Sequence, residues 1–138
     1  MGTTRTSATS LYQVLYVSQL AAGVDFTAIK AIVQASRTHN RANGISGALL
    51  FDGERFAHLL EGGEREVVAL MRRIERDARH GAIRTLHAGP VAARALSSWR
   101  SGYCESAHDL DSLQESGGLS GPSAVAAFIS LAHTADLQ

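Results

Sequence analysis

Two apolar runs meet at one turn dipeptide in "ISGALLFDGERFAHLLEG" (Ile45–Gly62), and no other stretch constrains the chain as tightly. Asp52-Gly53 is favoured in tight two-residue hairpin turns because both positions tolerate positive φ, so the flanking runs read as an antiparallel pair. The second run reads as a buried strand except at one place. Phe56, Ala57, Leu59 and Leu60 surround a single polar side chain, His58. An unpartnered polar group there costs about 1–3 kcal/mol, so the imidazole needs a partner or a purpose.

The elements around the hairpin follow from their periods. "LYQVLYVS" (Leu11–Ser18) is apolar on both alternating faces, as in a strand covered on both sides. In "AAGVDFTAIKAIVQASRTHNR" the period becomes helical: Phe26, Ile29, Ile32, Val33 and Ser36 share a stripe, Asp25 or Thr27 stands near the N-cap, and Asn43-Gly44 closes the helix. "EREVVALMRRIERDARH" predicts a second helix with Val67, Val68, Met71 and Ile74 inward and acidic residues in its first turn. Further strands are expected at "IRTLHAGPVAA" and "SWRSGYCE". The order β-α-β-β-α-β plus one strand is an α+β, ferredoxin-like arrangement, with two helices on one face of the sheet. The Gly/Ser/Pro-rich "ESGGLSGPS" reads as a linker. "AVAAFISLAHTADLQ" reads as an amphipathic helix with Ala124, Phe128, Leu131 and Ala132 on its apolar side. That helix most simply covers the opposite face of the sheet; a dimer interface is the rival use.

Composition narrows the function classes. The 138 residues suit one domain with a real core, and 45% hydrophobic with 19% charged residues excludes general disorder. Formal net charge is zero and no basic stripe stands out, which leaves nucleic-acid binding without electrostatic support. One cysteine, Cys104, excludes an internal disulfide and fits a reducing, cytoplasmic setting. No apolar run reaches the roughly 18 residues that span a bilayer. "MGTTRTSATS" (1–10) lacks the apolar core of a signal peptide and is expected to be a flexible leader; its Met-Gly start with nearby Thr is too common to signal myristoylation. The expected organisation is therefore a leader over 1–10, a domain over 11–104, and a linker with a helical cap over 105–138.

Several polar residues stand where a core would be apolar. Alternation puts Tyr12, Val14 and Tyr16 on one face of the first strand and Phe56, His58 and Leu60 on one face of the third. If both faces turn toward the two helices, Tyr16 and His58 satisfy each other's hydrogen bonds, and a core histidine is explained without any ligand. Ser36 and Asn40 are one helical turn apart and point the same way. Asn offers an acceptor and two donors, which suits the edge of a planar amide-bearing ligand, although a helix-capping role explains it equally well. Arg79 and His80 are expected to close the second helix, where cations complement the helix dipole and lie within reach of phosphate. The six histidines are scattered with no pair at ligand spacing, so no metal site is expected. There is no G-x-G-x-x-G, Walker loop or H-E-x-x-H, and nothing marks Cys104 as a nucleophile.

Together, "LYQVLYVS", "ASRTHNRANGISGALLFDGERFAHLLEG", "RIERDARH" and "GPVAARALSSW" resemble the BLUF domains, blue-light sensors that use FAD, from about Leu11 to Tyr103. The resemblance implies a flavin ring held between the two helices, with FAD as cofactor and FMN or riboflavin as smaller flavins for the same ring site. It implies Tyr16 as the electron and proton donor to excited flavin, Asn40 at the ring edge, Ser36 and His39 beside the ring, Arg79 and His80 near the dinucleotide part, and Trp99 as the tryptophan of the last strand. It implies no catalytic role, and an output through a separate protein partner or through self-association as a homo-oligomer.

Two positions depart from the pattern. His58 stands where the family has a glutamine, and Ser101 stands where a methionine is frequent. The resemblance makes that glutamine the switch, because its amide rearranges after light-driven electron transfer. Neutral imidazole has one donor and one acceptor, so it is expected to bridge Tyr16 and flavin in the dark, but it has no amide to rotate. The expectation is an FAD-binding sensor with an atypical or impaired photocycle. A fully working photoreceptor and a flavin-free interaction domain acting through its C-terminal helix are the alternatives.

Overall fold

The computed structural model describes residues 10–104, 110–114, 118–135 and 137–138. Residues 1–9 of the leader expected over 1–10, and 105–109, 115–117 and 136 of the linker and cap expected over 105–138, lie outside the described residues. The elements run β1 (Leu11–Leu20), α1 (Phe26–Ala42), β2 (Ser46–Phe51), β3 (Arg55–Gly63), α2 (Glu64–Glu75), β4 (His80–Val91), β5 (Trp99–Tyr103), α3 (Asp111–Gln114) and α4 (Gly121–Thr134). The sheet order is β4-β1-β3-β2-β5. Neighbours are antiparallel except β2 and β5, which are parallel. This is the expected ferredoxin-like α+β sheet with one added strand.

Side-chain alternation gives the sheet two cores. On one face Val14, Tyr16, Leu49, Phe56, Leu60 and Trp99 pack with Ile29 of α1 and with Val67, Leu70 and Met71 of α2. On the other, Leu15, Val17, Ala48, Leu50, Ala57 and Leu59 pack with Leu110, Leu113, Ala124, Phe128 and Ala132. The C-terminal helix therefore covers the second face, as its apolar side predicts, and the short α3 assists it.

Local chemistry sets the boundaries and corrects several expectations. Asp25 caps α1 by accepting from the backbone N–H of Ala28 at 3.0 Å, and Asn43 is its C-cap. Phe26, expected on the inward stripe, is 58% exposed and stacks on Tyr103 with centroids 6.0 Å apart. In α2 the inward stripe is Val67, Leu70, Met71 and Ile74, at i, i+3, i+4 and i+7, with Leu70 where Val68 was expected. The hairpin turns one residue later than its sequence suggests. Asp52 pairs with Arg55 through a 3.1 Å backbone bond, Gly53 has φ 104, and the Asp52 carboxylate accepts from the backbone N–H of Glu54 and Arg55. Arg79 and His80 do not close α2, which ends at Glu75. The Ala21 N–H bond to the Arg79 carbonyl and the Leu20–His80 pairing draw them to the start of β4.

Gly47 is required by its surroundings. At φ 136, a Cβ here would overlap the carbonyl oxygen of Leu59 on the neighbouring strand. Gly47 is also the residue opposite Trp99 in the β2–β5 ladder.

Candidate functional site

Between α1, α2 and the sheet lies an open cleft of about 800 Å³, a volume that includes the solvent space at its mouth. Its floor is Tyr16 of β1, Leu49 of β2 and Phe56 and His58 of β3; Ile32, Ser36, His39 and Asn40 of α1 form one wall, and Leu70, Arg73 and Ile74 of α2 form the other. Asp77, Arg79 and His80 stand on the connection into β4.

The floor is built by strand register. Tyr16 lies directly opposite His58, His58 opposite Leu49, and Leu49 opposite Ser101, so one row of side-chain positions crosses four strands. The Tyr16 hydroxyl and His58 Nδ1 share a 2.9 Å hydrogen bond, as the alternation of the two strands predicts. The indole Nε1–H of Trp99 donates to His58 Nε2 at 3.0 Å. Both imidazole nitrogens are thus engaged by protein partners, so His58 does not have the free nitrogen that bridging to a ligand would need. Burial, with the neighbouring His80, pushes the His58 imidazole down to about 3, and burial with the Asp77 charge pushes the Tyr16 phenol up.

Asn40 is the exception to this satisfied floor. It is 1% exposed, its Oδ1 accepts from His39 Nδ1 at 3.1 Å, and its Nδ2 is buried without a partner among the described residues. A buried amide donor with nothing to donate to is a cost that a ligand acceptor removes. Ser36 and Asn40 both line the cleft, as their i, i+4 spacing predicts.

At the mouth, Arg79 grips Asp77 through Nε and Nη2, at 2.9 and 2.6 Å, and holds the Asp77 carboxyl down at about 2. His80 lines the cleft as a brace: its Nε2 donates to the Ile74 carbonyl at 2.7 Å and its Nδ1 bonds the Ser18 hydroxyl at 2.8 Å. Ser101 is outside the cleft. Its hydroxyl lies 3.5 Å from Arg37 Nη2, and its carbonyl accepts from the Gln138 N–H at 2.8 Å. Arg73 and Asp77 were not singled out by sequence. Their signal was spacing alone: Arg73 shares the Leu70–Ile74 side of α2, and Asp77 follows three residues after Ile74, beyond the end of the helix. Among the described residues no three His, Cys, Asp or Glu side chains gather as a metal site, and no helix is long and apolar enough to cross a membrane.

The family model for sensors of blue-light using FAD matches residues 11–102, a span that holds the whole cleft. The chain belongs to the BLUF family. Its fold matches the BLUF protein BlrB in the dark state with a TM-score of 0.76 and 30% identity, over 90% of this chain and 96% of that one. It also matches BlsA in its photo-activated state with a TM-score of 0.77 over 93% and 98%; at 19% identity that likeness concerns the fold alone. In sequence it is 32% identical over 93 residues to the photoactivated adenylate cyclase subunit beta of Euglena gracilis, which is 67% of this chain and 11% of that protein. The chain thus spans about a tenth of the curated relatives it matches. As a BLUF domain it belongs to a flavin-binding family of blue-light sensors. The residues present fit such a ring: Ile32, Leu49, Phe56, Leu70 and Ile74 supply apolar surface, and the buried Asn40 amide supplies a donor without an acceptor among the described residues.

Proposed function

We propose that this chain binds FAD in the cleft and senses blue light with a photocycle altered by His58. The observation that carries this reading is the buried Nδ2 of Asn40, without a partner among the described residues, in the same cleft as Tyr16 and the His58 to which it is bonded. Asn40 holds the ring edge, with Ser36 and His39 beside it on α1. Arg73 and Arg79 line the cleft and would be the cations for the phosphates, and His80 braces β1 against the end of α2. A bound flavin supplies absorption of blue light and, when excited, an electron acceptor. Tyr16 keeps its hydroxyl proton in the dark, because burial raises its pKa. His58 contributes no amide rotation, and its two nitrogens are held at 2.9 and 3.0 Å. A lasting rearrangement of the glutamine kind therefore has no counterpart here. A single cysteine in the sequence, Cys104, fits a cytoplasmic setting.

Visible absorption of the purified protein supplied with FAD, in the dark and after blue illumination, tests this reading. The expected result is flavin bands that do not shift lastingly to the red, with the shift appearing in His58→Gln. A lasting red shift in the unaltered protein overturns the altered photocycle while leaving flavin binding in place. Absence of flavin bands after addition of FAD overturns the whole reading.

A further inference from the structure

We propose that Trp99 is a positioning residue: it holds His58 in the tautomer with hydrogen on Nδ1, and so turns the Tyr16 hydroxyl hydrogen toward the cleft. The indole Nε1–H is a donor only. At 3.0 Å from His58 Nε2 it needs a lone pair there, which excludes hydrogen on that nitrogen and excludes the imidazolium. The hydrogen of the neutral ring is then on Nδ1, and the 2.9 Å contact with Tyr16 runs from Nδ1–H to the phenol oxygen. Tyr16 accepts, so its own hydrogen is directed away from His58. No other bond to this hydroxyl is formed among the described residues, and Tyr16 lines the cleft.

The cleft then presents two hydrogen-bond donors, the Tyr16 O–H and the Asn40 Nδ2, to whatever lies between them. A ligand that carries acceptor atoms satisfies both donors. The arrangement depends on a side chain outside the cleft lining. Trp99 stands across from Gly47, two residues along β5 from the His58 row, and reaches His58 from that position. The inference rests on the flavin reading only for the name of the ligand.

Nitrogen-15 NMR of the histidines in the flavin-free protein tests it, whether or not flavin binds. In the unaltered protein His58 is expected to carry hydrogen on Nδ1 by at least about tenfold over Nε2, the least that two opposed buried donors would impose. Tyr16→Phe should leave this preference intact, because the indole contact persists. Trp99→Phe should release it, with hydrogen appearing on Nε2. Should the Trp99→Phe protein fail to fold, the spectra of the unaltered protein and of Tyr16→Phe still decide. Hydrogen on Nε2 in the unaltered protein overturns the proposal, as does loss of the preference in Tyr16→Phe or its full retention in folded Trp99→Phe.

Discussion

Asn40 and His58 are both buried polar side chains, yet their substitutions have opposite expected effects. Asn40 leaves a donor unpaired, so in the flavin-free protein Asn40→Leu removes a cost and should raise stability by about 1 kcal/mol while weakening flavin binding at least about tenfold. Urea unfolding and flavin titration together check this; a loss of stability with unchanged affinity would show that the amide serves the fold alone. His58 is satisfied and neutral, with its pKa pushed down to about 3, whereas in an unfolded chain it titrates near about 6.5. Between those values the unfolded chain takes up a proton that the folded chain excludes. Stability therefore falls as pH drops below about 6.5, by up to about 1.4 kcal/mol per pH unit, and this contribution is flat above it. Urea midpoints at pH 7 and pH 5 should show the fall, and His58→Gln should reduce it; an identical slope in the variant would assign the fall to other groups.

The elements are joined by polar latches as well as by their apolar faces. Glu61, at the end of β3 and fully buried, accepts from Gln13 Nε2 on β1 at 2.8 Å and from the backbone N–H groups of Ala95 and Leu96 in the β4–β5 connection. Arg94 closes the same corner by donating to the Glu61 and Gly44 carbonyls and to the Ser46 hydroxyl. Glu61→Ala leaves three donors without their carboxylate and is expected to cost on the order of 3 kcal/mol, with faster amide exchange at Ala95 and Leu96. Exchange unchanged at those two amides would show that the crossover is held from elsewhere. Such latches are not legible in a sequence, because periodicity reports which face is apolar but not which loop returns to it. The same limit explains the misplaced ends. Val67, Met71 and Ile74 of the α2 stripe, the Asp25 cap and the Tyr16–His58 pairing follow from spacing, whereas the start of β4 is set by its partner β1. The Trp99–His58 bond was likewise hidden, since it joins residues 41 apart in the chain across two ladders.

Over the whole molecule, one sheet serves two cores that never meet. Phe128 is fully buried against the face opposite the cleft, and Phe128→Ala is expected to cost about 3–5 kcal/mol and to lower the melting temperature by on the order of 10 °C. The thermal scan is made on flavin-free protein; a change below about 1 kcal/mol would mean that α4 rests on the sheet without supporting it. The fold class and this two-sided plan are legible in the sequence because both rest on the doubly apolar strands. Ala57, His58 and Leu59 are consecutive residues, and they look into different rooms: His58 into the cleft, its two neighbours into the layer beneath Phe128. The sheet is thus a partition one residue thick. Whatever displaces β3 on the cleft side moves the floor of the other room with it, and no chain of side-chain contacts is needed to carry the news across.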